Sequence, residues 1–213
     1  MHNSSLLKKN IVALIPLRGG SKSIPRKNIK EIAGKPLCAW VLESVSNAKL
    51  ISNVYVSTDS EEIKAVVEDL NLGVKVLFRP KILATDEAST ESVMINFMSQ
   101  VKFDIIVTVQ ATSPLLSSDD LDQALKIFHN DKLNSMLSAV RTKRFFWTEE
   151  GNPINYNPKN RPLRQNFAGI MMENGAFYVT DRLTLKNKHC RLGGKIGIFE
   201  MSENTSIEID EPS

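Results

Sequence analysis

The sequence predicts an α/β fold built on a doubly wound, mostly parallel β-sheet. Short apolar runs of strand length alternate with longer segments whose apolar residues recur at helical spacing. The first run, Ile11–Pro16, is apolar throughout, which is typical of a strand buried on both faces of a parallel sheet. A chain of 213 residues is long enough for one large domain, so we predict a single domain over residues 1–213.

Strands and helices are expected in alternation through the first two thirds of the chain. The predicted strands are apolar or β-branched runs at residues 11–16, 53–58, 74–78, 104–110 and 135–140. The predicted helices lie between them, at residues 36–48, 60–70, 89–100 and 118–128. Pro36 suits the first turn of a helix, and Ser60, followed by two glutamates, suits an N-cap.

The pattern changes near residue 141. Residues 141–173 are rich in aromatic residues, prolines, asparagines and arginines, which predicts an inserted, partly extended segment instead of another strand–helix unit. Short strands are expected again at residues 174–179, 195–200 and 206–210.

Composition excludes several classes of protein. Hydrophobic residues make up 42% of the chain and charged residues 24%, so the chain as a whole is not disordered. No apolar run approaches the roughly 18 residues that span a bilayer, and we expect a cytoplasmic protein without membrane contacts. The only cysteines, Cys38 and Cys190, form no CxxC motif, which favours two reduced thiols and argues against a structural zinc site.

Positive charge is concentrated in one loop after the first strand. Five cations lie there without an intervening acid: Arg18, Lys22, Arg26, Lys27 and Lys30. The net charge of the whole chain is only +3, so the basicity is local. A nucleic-acid-binding protein usually spreads its cations over a face and interleaves aromatic residues, and we expect no nucleic acid partner. A compact cluster among glycines indicates a site for a polyphosphate.

The loop lacks the spacing of the P-loop and of the dinucleotide-binding fingerprint. Its chemistry still suits a nucleoside triphosphate. Gly19 and Gly20 allow the backbone to approach an anion closely, and Arg18 and Lys27 can bracket a triphosphate and neutralise a departing pyrophosphate. Gln110 follows a later strand, and its segment should reach the same sheet edge, where ligands of such sheets bind.

Several motifs occur in an order and spacing that together resemble one family. They are residues 17–28 with 33–37, 56–59, 79–80 with 85–86, 110–114, 161–165, 173–178 and 207–210. Across nearly the whole chain they are similar to the N-acylneuraminate cytidylyltransferases, or CMP-sialic acid synthetases. The resemblance implies a Rossmann-like nucleotidyltransferase fold and a homodimer formed by the inserted segment, residues 141–173.

The resemblance also implies a reaction. The enzyme would transfer CMP from CTP to the anomeric hydroxyl of N-acetylneuraminate or a related nonulosonic acid, and it would release pyrophosphate. The sugar oxygen attacks the α-phosphorus in line, without a covalent enzyme intermediate. The expected catalytic residues are Arg18, Lys27 and Gln110.

Binding roles follow from the same resemblance. The expected nucleotide-binding residues are Leu17, Arg18, Gly19, Gly20, Ser21, Lys27, Asn28, Arg79, Ser89 and Thr90. The expected sugar-binding residues are Gln110, Thr112, Ser113, Arg164, Gln165 and Tyr178, of which Arg164 and Gln165 would serve the neighbouring subunit.

Magnesium is the expected cofactor. Asp210 and Glu208 lie two residues apart, so on a strand their side chains would point the same way, and carboxylate oxygens suit Mg²⁺. The family usually has aspartate at position 208, which makes Asp210 the firmer ligand.

Two alternatives stay open. The acceptor could instead be legionaminic acid, pseudaminic acid or the eight-carbon acid Kdo, because the motifs do not specify the pocket for the acyl group. The chain could also be a non-catalytic CTP-binding subunit.

Overall fold

The structure, a computed structural model, describes residues 6, 9–21, 23–207 and 209. The strands are β1 (Ile11–Pro16), β2 (Glu31–Ile32), β3 (Lys35–Pro36), β4 (Asn53–Thr58), β5 (Lys75–Phe78), β6 (Ile105–Val109), β7 (Ser135–Thr142), β8 (Ile170–Asp181) and β9 (Ile196–Met201). The α-helices are α1 (Leu37–Ser46), α2 (Glu61–Asp69), α3 (Thr90–Gln100), α4 (Ser118–Asn130) and α5 (Arg182–Lys188). Short 3₁₀ helices cover Lys27–Ile29, Lys81–Leu83, Pro158–Asn160 and Glu203–Ser206.

Seven of these strands form one sheet in the order β5-β4-β1-β6-β8-β7-β9. Neighbouring strands pair in parallel except at β8, which is antiparallel to both β6 and β7. The prediction of a mostly parallel sheet is therefore confirmed. Strands β2 and β3 form a separate two-stranded hairpin, which was not predicted.

Successive residues of β1 supply the cores on the two faces of the sheet. Ile11, Ala13 and Ile15 pack into the cluster beneath α1 and α4. Val12 and Leu14 pack on the other face, against Met94 and Phe97 of α3 and Leu185 of α5. This alternation follows from the two-residue repeat of a strand, and it explains why the run is apolar throughout.

Helix starts follow local capping rules. The side chains of Ser60, Ser89 and Ser117 each accept a hydrogen bond from a backbone N–H in the first turn of α2, α3 and α4, respectively. Ser117 and Asp120 form a capping box, so α4 begins directly after the cap. No helix in the described part of the chain is both long enough and apolar enough to cross a bilayer.

The last third of the chain differs from expectation at several points. Strand β8 begins four residues before the predicted 174–179, and it pairs with β7 as far as Thr142 and Ile170. Both ends of the predicted insertion therefore lie in strands, and residues 143–169 connect them. Helix α5 was not predicted.

The strand predicted at 206–210 is wrong at its start, because Ser206 ends the 3₁₀ helix Glu203–Ser206. The Thr205 hydroxyl donates to the Ser202 carbonyl at 2.7 Å, which stabilises this turn instead of an extended chain. Glu208 and Asp210 lie outside the described residues.

Candidate functional site

A cleft of about 420 Å³ lies along the carboxyl ends of the parallel strands. Loops after β1, β5 and β6, the start of α3 and part of β8 form its walls. The residues lining it are Pro16, Arg18, Ser21, Lys27, Asn28, Arg79, Leu83, Thr85, Asp86, Ala88, Thr90, Val93, Gln110, Ala111, Thr112, Gly175, Tyr178 and Arg191. Nine predicted site residues are therefore brought together: Arg18, Ser21, Lys27, Asn28, Arg79, Thr90, Gln110, Thr112 and Tyr178.

The loop after β1 is anchored by its own backbone. The Leu17 N–H donates to the Ser57 carbonyl at 2.9 Å, which extends the pairing of β1 with β4 by one residue. The Leu17 side chain is fully buried. The Asn28 amide donates to the Arg18 carbonyl at 2.9 Å. These contacts position Arg18 and Asn28, which both line the cleft.

Gly19 approaches the end of β4 closely. Its N–H donates to Asp59 Oδ1 at 2.8 Å, and a Cβ atom built on it would lie 3.0 Å from the Ser60 Cβ atom. A larger residue would therefore push the loop away from β4. The Gly19 N–H already has a carboxylate acceptor, which leaves the exposed Gly20 as the glycine whose backbone is open to an anion.

Two arginines define the charged wall of the cleft. Arg18 Nη1 lies 2.5 Å from Asp86 Oδ1, with about a third of each side chain exposed. Arg79 is 7% exposed, and its Nε has no hydrogen-bond partner among the described residues. Burial lowers the pKa of Arg79, nearby Asp59 raises it, and Arg18 lowers it further. A buried cation with an unmet donor is costly, and such groups are enriched at functional sites.

The start of α3 forms a further wall. Thr90 lines the cleft, whereas its neighbour Ser89 is the helix cap. Ser89 Oγ accepts from the Ser92 N–H at 3.1 Å, and the Ser89 carbonyl accepts from the Ser92 hydroxyl at 2.7 Å. Of the predicted Ser89–Thr90 pair, Thr90 is therefore the one that faces the cleft.

The opposite wall comes from the loop after β6 and from β8. The Gln110 N–H donates to the Ala176 carbonyl at 3.1 Å, which holds the loop against β8. Tyr178 donates its hydroxyl proton to Glu173. The predicted Ser113 is 3% exposed and does not line the cleft, and its Oγ has no hydrogen-bond partner among the described residues.

The predicted sugar ligands Arg164 and Gln165 lie elsewhere. Both are exposed, in the connection between β7 and β8, and neither lines the cleft of its own chain. Arg164 instead lines a second cavity of about 560 Å³, together with Lys143, Arg144 and Arg161.

Sequence reasoning missed two charged residues of the cleft. Asp86 belongs to a motif that the resemblance used, but the motif gave no reason to assign it a role. Arg191 belongs to no motif, and the preceding helix α5 was not predicted. Its Nε donates to Glu91 at 2.7 Å, and its guanidinium lies 4.5 Å from the centre of the Tyr178 ring.

The structure describes neither predicted magnesium ligand. Within the described residues, no group of three or more His, Cys, Asp or Glu side chains is arranged to hold a metal ion. Ile209, which lies between Glu208 and Asp210 in sequence, donates its N–H to the carbonyl of the cleft residue Thr112 at 3.0 Å. The backbone of Ile209 therefore reaches the edge of the cleft.

Comparison with solved structures identifies the fold. The structure of CMP:2-keto-3-deoxy-manno-octonic acid synthetase complexed with CTP matches with a TM-score of 0.73 at 21% identity, over 95% of this chain and 94% of the other. A 4-diphosphocytidyl-2C-methyl-D-erythritol synthase from Anaerococcus prevotii matches with a TM-score of 0.66 at 12% identity, over 98% and 94% of the two chains.

Comparison with curated sequences identifies the family. The N-acylneuraminate cytidylyltransferase of Oncorhynchus mykiss is 37% identical over 95% of this chain, which spans only 48% of that protein. The pseudaminic acid cytidylyltransferase of Campylobacter jejuni subsp. jejuni is 35% identical over 95% of this chain and 91% of its own length. The chain thus spans about half the length of the fish relative and nearly all of the bacterial one. A family model described as cytidylyltransferase matches residues 12–211, and the chain therefore belongs to the cytidylyltransferase family.

Proposed function

We propose that this protein transfers CMP from CTP to the anomeric hydroxyl of an acidic nonulosonic sugar and releases pyrophosphate. The observation that carries the proposal is the cleft itself. It combines the basic loop residues Arg18 and Lys27 and the buried Arg79 with the polar residues Gln110 and Tyr178 at the sheet edge. Family membership supports the nucleotide, since a cytidylyltransferase uses CTP.

The nucleotide lies along the loop after β1. Arg18 and Lys27 bind the triphosphate, with Ser21 and the Gly20 backbone adding donors. Asn28 and Arg79 face the cytosine, whose O2 and N3 accept hydrogen bonds. Thr90 reaches the ribose. Because Arg18 already pairs with Asp86, the triphosphate must replace a carboxylate as its partner.

The acceptor sugar lies at the other end of the cleft. Gln110 orients the anomeric hydroxyl. Its oxygen bonds to the α-phosphorus while the bond to the pyrophosphate oxygen breaks, and the hydroxyl proton is released to the solvent. The cations of the loop neutralise the charge that accumulates on the departing pyrophosphate, which is the main electrostatic contribution to such a transfer. Precise placement of both substrates supplies much of the remaining rate enhancement.

Magnesium fits the chemistry of the donor set. Asp210, with Glu208, would hold the ion, because the backbone of Ile209 between them reaches Thr112 at the cleft. A bound Mg²⁺ would neutralise phosphate oxygens and polarise the α-phosphate.

We further propose a cytoplasmic homodimer in which the segment 141–173 contacts the partner subunit. Arg164 and Gln165 are exposed and lie away from their own cleft, and this placement supports a role in the partner's site.

A second candidate acceptor is pseudaminic acid. It is favoured by the Campylobacter relative, which this chain matches over nearly the whole length of both proteins. Legionaminic acid and Kdo belong in the same comparison.

Pyrophosphate release from CTP and Mg²⁺ tests the proposal. N-acetylneuraminate, pseudaminic acid, legionaminic acid and Kdo are compared in parallel, with a control lacking sugar, and the CMP-sugar is identified by mass spectrometry. We expect release only with a nine-carbon acid. CTP binding by calorimetry without release from any sugar would contradict the proposal and support the non-catalytic CTP-binding subunit.

A further inference from the structure

Arg191 is a cation that lines the cleft beside Tyr178, one of the predicted sugar-binding residues. The other basic residues among those that line the cleft are Arg18, Lys27 and Arg79. The reaction proposed above assigns these three to the nucleotide. Arg191 lies instead beside Tyr178, and a quarter of its side chain is exposed. The reaction proposed above assigns no role to it.

Two contacts hold the Arg191 guanidinium in one orientation. Its Nε donates to Glu91 Oε1 at 2.7 Å, and its Cζ atom lies over the Tyr178 ring, 4.5 Å from the ring centre. Glu91 is itself favourably placed, because it is an acid in the first turn of α3, where the helix dipole stabilises negative charge. Among the described residues, neither Nη group of Arg191 has a hydrogen-bond partner. Arg191 therefore presents fixed, unused donors to the cleft.

The charge of this pair indicates what those donors bind. Glu91 neutralises Arg191, so the pair offers N–H donors without a net positive charge. A substrate carboxylate bound to the Nη groups would lie within a few ångströms of Glu91 and would be repelled by it. A neutral carbonyl oxygen would form the same hydrogen bonds without that repulsion. The site therefore favours an uncharged acceptor oxygen over the carboxylate of the sugar.

We propose that Arg191 is a specificity residue that binds the carbonyl oxygen of the sugar's acylamido group. This inference rests on the proposed function. Acylated nonulosonic acids carry such a carbonyl, whereas Kdo has only hydroxyl groups and the carboxylate. The Tyr178 ring, which lies against the guanidinium, forms the adjoining wall of this subsite.

The test compares two acceptors that differ only in the acylamido group. N-acetylneuraminate, or whichever acylated acid supports turnover, is paired with its analogue carrying a hydroxyl in place of the acylamido group. We expect Arg191→Met to lower kcat/KM for the acylated sugar about tenfold, the value of roughly one hydrogen bond, and to leave the hydroxyl analogue nearly unchanged. KM for CTP should stay the same.

Arg182→Met is the matched control. Arg182 also lies over an aromatic ring, at 4.8 Å from the centre of Phe103, but it donates to the Val101 and Met98 carbonyls and does not line the cleft. Its loss can lower the melting temperature, but it should not change the ratio of kcat/KM between the two sugars.

Each other outcome overturns the inference in a distinct way. Equal losses for both sugars with Arg191→Met would assign the residue to the carboxylate or to the architecture of the cleft. If Arg191→Met keeps full activity and the ratio of kcat/KM between the two sugars does not change, Arg191 does not contact the sugar. No turnover by the unsubstituted protein with any acidic sugar would overturn the proposed function, and this assignment with it.

Discussion

Among the described cations of their loop, Arg18 and Lys27 line the cleft, whereas Arg26 and Lys30 do not. We expect Arg18→Ala and Lys27→Ala each to lower kcat about 100-fold, because each removes a charged donor from the triphosphate and the departing pyrophosphate. Steady-state pyrophosphate release measures the loss, and circular dichroism checks that both variants are folded.

Arg26→Ala is the control in the same loop. Arg26 pairs with Glu62, its side chain is 67% exposed, and it does not line the cleft. It should retain nearly full turnover. Wild-type rates for both Arg18→Ala and Lys27→Ala would remove these residues from the mechanism.

We expect Asp86, which pairs with Arg18, to compete with the nucleotide for that side chain. Because both side chains are about a third exposed, the ion pair contributes less than about 1 kcal/mol and is screened by salt. We therefore expect Asp86→Asn to tighten CTP binding up to about fivefold at low ionic strength, with the gain shrinking as salt is added. Calorimetric titration with CTP at two salt concentrations measures this, and weaker binding by the variant would show that Asp86 assists the nucleotide.

At the scale of single elements, we expect Cys38 of helix α1 to make the free energy of unfolding depend on pH. The thiol is fully buried, and burial raises its pKa to about 11 from an ordinary value of 9.0. Below pH 9 the thiol is protonated in both the folded and the unfolded chain. Between pH 9 and 11 the unfolded chain ionises first, so this contribution to stability is lost as the pH rises.

We expect the free energy of unfolding to fall by about 1 kcal/mol more in the unsubstituted protein than in Cys38→Ala between pH 8 and pH 10. Urea denaturation at the two pH values measures the difference. Cys190→Ala, which alters a half-buried thiol, is the matched control and should behave like the unsubstituted protein. If the free energy of unfolding changes equally with pH in Cys38→Ala and in the unsubstituted protein, the Cys38 thiol is not the source of the pH dependence.

Strands and helices could be predicted from the sequence where burial alone determines the pattern of apolar residues. Strands β1 and β6 are buried along almost their whole length, so their apolar runs stand out in the sequence. The first half of β8 is largely exposed, and its pairing with β7 comes from tertiary contacts that no local pattern reports. Helix α5 has seven residues, of which only Thr184 and Leu185 are buried, so it lacks an apolar stripe.

At the scale of the whole molecule, the topology explains which site residues could be found from the sequence. Residues that directly follow parallel strands, such as Arg79 and Gln110, reach one sheet edge because those strands share a direction. Arg191 reaches the cleft through β8 and α5. Its position therefore depended on the reversed direction of β8, of which only residues 174–179 were predicted as a strand, and on α5, which was not predicted. Arg164 and Gln165 do not line their own cleft, and their expected role depends on a second copy of the chain.

We expect light scattering to detect a species of twice the 23.8 kDa chain mass. The exposed side chains of residues 143–169 are the expected contacts, and they include Trp147, Ile154 and Leu163. A 23.8 kDa species alone, at the concentrations used for activity measurements, would contradict the homodimer.

Mixing inactive variants tests whether Arg164 serves the partner's cleft. In a heterodimer of Arg18→Ala and Arg164→Ala chains, one cleft would combine both defects and the other would have neither. Equal mixing after subunit exchange should therefore restore about a quarter of the wild-type activity, since half of the dimers would be mixed and each would have one intact cleft. Mixing Arg18→Ala with Lys27→Ala is the control and should restore nothing, because both residues line their own chain's cleft. If the first mixture does not recover activity, although mass spectrometry shows that subunits have exchanged, Arg164 does not serve the partner's cleft.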